Sequence, residues 1–178
     1  VENGMEQFVR DARITMIYEG ANGVQAMDLV GRKLPANMGR AIQAFFAAVD
    51  KECAEAKADA RLTDLAWRVE KANGELKAAT MWLMQNAMAK PDNAGAGAHH
   101  YMHIMGIVAL GLMWLKMGRT AAVALDASSG DKAFYEAKLT TGRYFGERFT
   151  PDAGSLRRKL EAGSEAMMAL PAEAFATA

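Results

Sequence analysis

The chain has 178 residues, of which 51% are hydrophobic, and this is enough to bury one substantial core. Its 21 basic and 21 acidic residues cancel, so there is no net field to attract nucleic acid or an anionic membrane surface. We therefore expect no nucleic-acid partner. The longest apolar run, residues 104–115, is also shorter than the about 20 residues that a bilayer span needs, and we predict a buried helix there and no membrane span.

The composition favours helix almost throughout. Period-2 alternation and β-branched runs are scarce, whereas alanine, methionine, leucine, glutamate and lysine are abundant. We therefore predict an all-α fold without a sheet. Pro35 marks the clearest division, between residues 1–34 and residues 36–175.

The N-terminal part consists of two helical patterns joined at a break. Gly20 and Gly23 interrupt the period, and Asn22 with Gln25 three residues later fits a helix start in which both side chains cap free N–H groups. Glu19 then lies just before a helix N-terminus, beside a glycine that leaves room for close approach. The apolar stripes on the two flanks are Met5, Phe8, Val9 and Ala12 before the break, and Val24, Met27, Val30 and Leu34 after it.

Residues 36–175 are predicted to form an up-down bundle of about four long helices with short connectors. The helices are expected at about 37–57, 62–88, 98–125 and 132–149, followed by a short helix to residue 160, with residues 90–97 as a loop. The third helix should be central. Gly142 and Gly146 offer a flat strip for a neighbouring helix. The predicted stripes are Met38, Ile42, Phe45, Phe46, Val49, Cys53 and Ala56 in the first helix, Leu62, Leu65, Val69, Ala72, Leu76, Leu83 and Ala87 in the second, and Phe134, Ala137, Thr141 and Phe145 in the fourth.

The sulfur-containing side chains are interpreted as core residues. Cys53 is the only cysteine, which excludes an internal disulfide, and its place on an apolar stripe predicts an inert thiol. Methionines 102, 105, 113 and 117 fall on apolar stripes of the third helix, so we predict that they fill the core rather than form a soft binding surface.

Two parts of the sequence resemble one enzyme family. The run RDARITMIYEGANGVQAMDLVGRKL, residues 10–34, resembles the last core helices of flavin-dependent acyl-CoA dehydrogenases, in which a Tyr-Glu-Gly turn delivers the catalytic base. Residues 36–175 resemble the additional C-terminal helical domain of the larger bacterial members, the 3-methylmercaptopropionyl-CoA dehydrogenase-like group. That second likeness is carried by MHIMGIVALGLMWLKM, FYEAKLTTGRYFGERF and GSEAMMALPAEAF.

The resemblance implies roles for the residues of the break. Glu19 would be the catalytic base that removes the α-proton of an acyl-CoA thioester, while the β-hydrogen leaves as hydride to FAD and a trans-2-enoyl-CoA forms. Tyr18 and Gly20 would lie against the substrate. The residues that match the flavin-contacting segment are Ala21, Asn22, Gly23 and Gln25. Ala21 stands where many members have a threonine, so that hydroxyl contact to FAD is not available from this chain.

The resemblance also implies partners and a setting. These are an acyl-CoA substrate, electron-transfer flavoprotein as electron acceptor, a homo-oligomeric assembly and the bacterial cytoplasm. An FAD site in this family further requires an N-terminal helical domain and a β domain, which these 178 residues do not include. The isolated fragment is therefore expected neither to hold flavin tightly nor to turn over.

Two other interpretations remain open in the sequence. One is a free-standing helical interaction or oligomerisation domain without catalysis, which would gain weight if residues 1–34 packed as a full partner in the bundle. The other is a metal site at His99, His100 and His103, because residues four apart share a helix face. A third protein ligand is not evident, so a solvent-facing helix start is favoured and no metal is predicted.

Overall fold

A computed structural model describes residues 4–17 and 20–175, and every regular element within these ranges is helical. The prediction of an all-α fold is confirmed. The α-helices are α1 Glu6–Ile14, α2 Asn22–Asp28, α3 Arg40–Ala56, α4 Thr63–Asn86, α5 Asp92–Asp126, α6 Lys132–Arg148 and α7 Asp152–Glu161. A π-helical turn Leu29–Lys33 extends α2, and 3-10 turns occupy Ala36–Gly39 and Ala172–Phe175.

Helices α3 to α6 form the predicted up-down bundle. Cross-helix pairs show that α3 and α4 run in opposite directions. Lys57, just after α3, lies 2.7 Å from Glu70 in the first half of α4, whereas Asp50, further back in α3, lies 2.7 Å from Lys77, further along α4. Short connectors between long helices produce this arrangement.

The longest helix, α5, holds the bundle together because it contacts α2, α3, α4, α6 and α7. A stripe spaced by alternating steps of four and three residues is buried along its whole length, as in a coiled-coil seam. Glycines in this stripe let α4 approach closely: a Cβ on Gly111 would stand 2.9 Å from Val69, and one on Gly118 would stand 2.6 Å from Leu62. The stripe consists of Gly97, Tyr101, Ile104, Val108, Gly111, Leu115, Gly118 and Ala122.

The central position predicted for this helix is confirmed, but the opposite side of α5 is exposed, so the prediction of a buried helix is only half right. Leu110 is 56% exposed, and Met113 and Met117 are exposed too, although Met102 and Met105 do pack against the core. By length and composition, α5 is the one helix in the described ranges that is apolar enough to cross a bilayer, and 39% of its most apolar window is buried in the bundle. A core helix passes the same test, so this is weak evidence for a span.

Two predicted helix starts in the bundle, those of α3 and α5, were wrong. Residues 92–97 are helical rather than a loop, because α5 begins at Asp92. Tertiary contacts offset the low helix propensity of the glycines there: Gly97 packs on Leu160, and the Asn93 amide oxygen accepts hydrogen bonds from Ser164. Helix α3 begins at Arg40, three residues later than predicted, because residues 37–39 adopt left-handed φ values.

The predicted apolar stripe of α6 was right at Phe145 and wrong at its other three residues. Phe134, Ala137 and Thr141 are exposed, and the buried face contains Gly142, Phe145 and Gly146. The predicted glycine strip explains the rotation. A Cβ on Gly146 would stand 2.9 Å from Leu65 Cδ1, so the smooth glycine surface, rather than the phenylalanine stripe, faces α4.

Candidate functional site

The predicted catalytic segment is described only in part. Tyr18 and Glu19 lie outside the described residues, whereas the segment from Gly20 onward is described. The structure therefore places the residues that follow the predicted base. Their roles stay predictions.

Gly20 has a backbone conformation that favours glycine. Its φ is +115°, and no heavy atom lies within 4 Å of the place where a Cβ would be. Residues with a Cβ rarely adopt such a φ. The residue after the predicted base therefore presents bare, open backbone, which is what close approach of a substrate requires.

Helix α2 begins one residue earlier than predicted. Asn22 is its first residue and Ala21 occupies the N-cap position, without a side-chain cap. The capping arrangement predicted for Asn22 and Gln25 is therefore wrong, and the backbone N–H of Gln25 donates to the Ala21 carbonyl at 2.8 Å. Ala21 is half-buried, whereas Asn22, Gly23 and Gln25 are exposed. The structure thus brings the four predicted flavin-contacting residues together on one accessible turn.

The other side of this segment is anchored in the bundle. Ala26, Val30 and Leu34 are buried in the same hydrophobic cluster as the long helices, and both α2 and its π-helical extension contact α5. The predicted stripe was half wrong, because Val24 and Met27 are exposed. One face thus fixes the predicted site turn on the bundle while the other remains accessible.

Asp28 is the carboxylate nearest in sequence to this turn among the described residues. Arg32 and Lys33 both pair with it, and they lower the pKa of Asp28 to about 2. It remains charged near neutral pH. A base of such low proton affinity is poorly matched to proton abstraction at that pH, so Asp28 does not replace Glu19 as the candidate base.

Helix α1 lies outside the core. Its apolar residues are exposed, Phe8 to 66%, and every described residue from Gln7 to Ile17 is exposed. The predicted stripe of Met5, Phe8, Val9 and Ala12 exists on the helix but has no cover from the bundle. Large apolar side chains aligned on one exposed face indicate a surface that packs against something further.

The three histidines lie within α5 rather than at its start. His99 and His103 are exposed, with ring centroids 4.4 Å apart, whereas His100 is half-buried. Burial lowers the pKa of His100, and the neighbouring charges of His99, Lys159 and His103 lower it further. Within residues 4–17 and 20–175, no group of three or more His, Cys, Asp and Glu side chains is placed to hold a metal ion.

Cys53 is a core thiol, as predicted. It is fully buried among the apolar side chains of α3 and its neighbours. Burial raises the pKa of its thiol to about 12, with the charge of Glu70 acting in the same direction. The thiolate needed for nucleophilic chemistry is therefore strongly disfavoured.

A charged cluster between α3 and α5 had no sequence motif to reveal it. Glu52, only 8% exposed, accepts a hydrogen bond from Arg119 at 2.7 Å, and Glu55 lies 2.6 Å from the same guanidinium. Glu52 and Arg119 line an open groove of about 430 Å³ together with Lys116. Because the partners are 67 residues apart, only the fold brings them together, and we interpret the cluster as a connection between the two helices.

Comparison with known proteins gives a family match. Residues 45–171, most of the chain, match the family described as Acetyl-CoA dehydrogenase C-terminal like. The matched region comprises most of α3, helices α4 to α7 and their connectors. It does not include the predicted site turn.

Individual relatives extend the similarity further along the chain. The chain is 35% identical to 3-methylmercaptopropionyl-CoA dehydrogenase of Ruegeria pomeroyi, over 83% of this chain and 25% of that protein. It is 30% identical to a broad-specificity linear acyl-CoA dehydrogenase of Mycobacterium tuberculosis, over 96% and 29%. It is 25% identical to butyryl-CoA dehydrogenase of Syntrophomonas wolfei, over 93% and 28%. The chain thus spans between a quarter and a third of the relatives that it matches.

Proposed function

The chain belongs to the acyl-CoA dehydrogenase family, whose C-terminal part it matches, and from that premise we propose that it is the C-terminal portion of an enzyme that oxidises acyl-CoA thioesters to trans-2-enoyl-CoA. The observation that carries the proposal is the accessible turn after Glu19. It is anchored through α2 on the bundle and open on its other side.

In the proposed reaction Glu19 is the base. Its carboxylate takes the proton from the carbon next to the thioester carbonyl, and its backbone N–H helps to polarise that carbonyl. Proton abstraction requires a base within about 3 Å of the carbon that carries the proton, and a hydrogen-bond donor for the developing oxyanion. Tyr18 and Gly20 lie against the substrate. The open backbone at Gly20 supports this contact, because it leaves room for a substrate. A residue with a side chain would be strained at the φ of Gly20.

The described residues around α2 fit a flavin. Asn22, Gly23 and Gln25 are exposed on one turn, and no heavy atom lies within 4 Å of a Cβ placed on Gly23. A flat ring system can approach such a turn closely, and polar side chains beside it can bond its edge. Ala21, Asn22, Gly23 and Gln25 would hold FAD, which when bound accepts the β-hydrogen as hydride.

The exposed face of α1 supports the view that the site is completed by protein outside these residues. A helix whose apolar side is uncovered gains stability when another element buries it. We propose that the flavin-binding remainder of the enzyme covers this face. The isolated fragment is then inactive, since it contributes the base without the surrounding pocket.

The partners follow from the same proposal. They are an acyl-CoA substrate, electron-transfer flavoprotein as the electron acceptor, and further copies of the enzyme in a homo-oligomer, in the bacterial cytoplasm. By their names, the relatives act on butyryl-CoA, linear acyl-CoA and 3-methylmercaptopropionyl-CoA. These names support a thioester of a saturated acyl chain as the substrate.

A second candidate function is a free-standing helical interaction domain without catalysis. The packing of Ala26, Val30 and Leu34 into the bundle favours it, because part of the N-terminal region behaves as a member of the bundle. The exposure of α1 favours the enzyme. The two candidates differ in one observable property, whether the turn at Glu19 takes part in chemistry.

The test uses the full-length enzyme and its Glu19→Gln variant under anaerobic conditions. We expect the variant to keep its flavin spectrum while acyl-CoA reduces that flavin on the order of 10²- to 10⁴-fold more slowly. Glu165→Gln, at an exposed carboxylate near the other end of the chain, is the control and should reduce at the normal rate. Normal reduction in the Glu19→Gln enzyme would remove Glu19 from the mechanism.

A separate measurement tests the inactivity of the fragment. The purified 178-residue chain should be colourless and show no flavin absorption after incubation with FAD and gel filtration. Retained flavin in a one-to-one ratio would show that the fragment already holds a flavin site, and the missing domains would then be unnecessary for binding.

A further inference from the structure

Two histidines lie side by side on the outer face of α5. His99 and His103 are four residues apart, so one helical turn places both side chains on one face. Both are exposed, and their ring centroids are 4.4 Å apart with planes inclined by 55°. Imidazole nitrogen is a good ligand for copper, nickel and zinc ions. The pair is therefore a candidate chelate.

The spacing of the rings is compatible with one metal ion that bonds a nitrogen of each ring. A metal bonded at about 2.0–2.1 Å to one nitrogen of each ring lies about 3.2 Å from each ring centroid. A centroid separation of 4.4 Å then corresponds to a nitrogen–metal–nitrogen angle of about 90°, whereas a tetrahedral angle needs about 5.2 Å. Right angles are typical of square-planar and octahedral centres, as for Cu²⁺ and Ni²⁺.

We propose that His99 and His103 form a two-histidine binding site for Cu²⁺ or Ni²⁺ on the surface of α5. The pair lies well inside a helix of 35 residues whose opposite face is buried along the bundle. The backbone that carries the two rings is therefore held in place before a metal arrives, which reduces the entropy that binding must offset.

The neighbouring histidine does not belong to this site. His100 is half-buried, and its Nδ1 is buried without a hydrogen-bond partner in the described part of the chain. Within the same ranges no third His, Cys, Asp or Glu side chain joins the pair. The other coordination positions of the ion would be filled by water or by donor atoms from another molecule.

The test is isothermal titration of the full chain, near neutral pH, with CuCl₂, NiCl₂ and ZnCl₂ in separate runs. We expect one equivalent of Cu²⁺ or Ni²⁺ to bind more tightly than Zn²⁺. His99→Gln and His103→Gln should each weaken that binding at least tenfold. His100→Gln is the matched control, with the same substitution on the same helix, and should stay within twofold of the unaltered chain.

Circular dichroism of each variant shows whether the bundle is still folded, so a loss of binding can be assigned to the ligands. The nitrogen hyperfine pattern in the electron paramagnetic resonance spectrum with Cu²⁺ gives a second readout and should report two imidazole nitrogens. Equal affinities for the unaltered chain and a His99→Gln/His103→Gln double variant would overturn the proposal. So would a loss in His100→Gln as large as in the other two. Neither result would bear on the proposed acyl-CoA chemistry, which uses residues 18–25.

Discussion

Gly111 of α5 lies directly against Val69 of α4, and a Cβ built on Gly111 would stand 2.9 Å from Val69 Cγ2 and 3.1 Å from Cγ1. The β-branched valine side chain is completely buried and has few alternative rotamers in a helix. This contact therefore sets how closely the two longest helices of the bundle can approach each other.

Substitution of Gly111 tests the close approach. Gly111→Ala should lower the free energy of unfolding by about 1–3 kcal/mol, because the added methyl group separates α4 from α5. Gly106→Ala is the matched control, since Gly106 is exposed on the same helix with no heavy atom within 4 Å of its Cβ position. There alanine should stabilise by up to about 1 kcal/mol. Urea denaturation measures both, and equal stabilisation of the two variants would contradict the tight packing at Gly111.

The buried hydroxyl of Tyr101 gives a prediction about pH. It lies 2.8 Å from Thr80 Oγ1, and since the hydroxyl of Thr80 donates to the Leu76 carbonyl, Tyr101 is the donor between the two side chains. Tyr101→Phe should cost about 0.5–1.5 kcal/mol near neutral pH, because a buried hydrogen bond is lost. Burial raises the pKa of Tyr101 to about 12, against about 10 in an unfolded chain.

The sign of the pH effect follows from this difference. Below about pH 10 the phenol is protonated in both states and contributes no pH dependence, whereas above it the unfolded chain loses the proton first. The unaltered protein should therefore lose up to about 2–3 kcal/mol more than the Tyr101→Phe variant between about pH 10 and 12. Denaturation at several pH values measures this. Tyr144→Phe, at an exposed tyrosine, is the control, and parallel curves for Tyr101→Phe and the unaltered chain would argue against the burial.

Cys53 should be unreactive in the folded protein. Its side chain is fully buried, and the pKa of its thiol is raised to about 12, so a thiol-specific disulfide reagent should react only on unfolding. The reaction rate in rising urea should follow the unfolding transition. A fast reaction with one thiol in the absence of urea would show that the core around α3 opens readily.

The ion pair between Arg119 and Glu52 should stabilise the contact of α3 with α5. Arg119→Met leaves the nearly buried Glu52 carboxylate without its 2.7 Å partner, which should cost about 1–3 kcal/mol. Arg143→Met breaks an exposed pair with Glu147 at 3.9 Å and should change stability by no more than about 0.5 kcal/mol. Thermal denaturation compares them.

A second substitution shows why Arg119→Met lowers the stability. Adding Glu52→Gln to Arg119→Met removes the unpaired charge and should restore part of the lost stability. No recovery in the double variant would mean that Arg119 acts through packing of its aliphatic stem rather than through its charge.

The family and the helical class were readable from the sequence because both depend on local patterns. The α4 stripe was predicted well, since Leu65, Val69 and Leu76 recur at helical spacing and all are buried. The likeness of the bundle motifs to acyl-CoA dehydrogenases agrees with the family match over residues 45–171, which does not extend to the Tyr-Glu-Gly run. These features need no knowledge of which helix packs against which.

The glycine-rich residues 92–97 and the buried face of α6 were misread, because both depend on a partner helix. Residues 92–97 look like a loop, yet they are helical since Gly97 packs on Leu160 and Asn93 bonds Ser164. In α6 the strip of Gly142 and Gly146, rather than the stripe with Phe134, faces the bundle. The spacing of hydrophobic residues in the sequence indicates which side chains can be buried. Which face of the helix is buried depends on where a neighbouring helix packs.

The order of side chains along the chain was therefore sufficient to determine an all-helical bundle, an inert thiol at Cys53 and membership of an enzyme family. The tertiary structure alone decided that α1 is left uncovered while the segment from Ala26 to Leu34 is anchored. It also decided that Glu52 meets Arg119 and that His99 and His103 face outward while His100 turns toward the core. The physical reason is that periodicity and propensity act over a few residues, whereas burial and charge pairing depend on contacts between residues far apart in the chain.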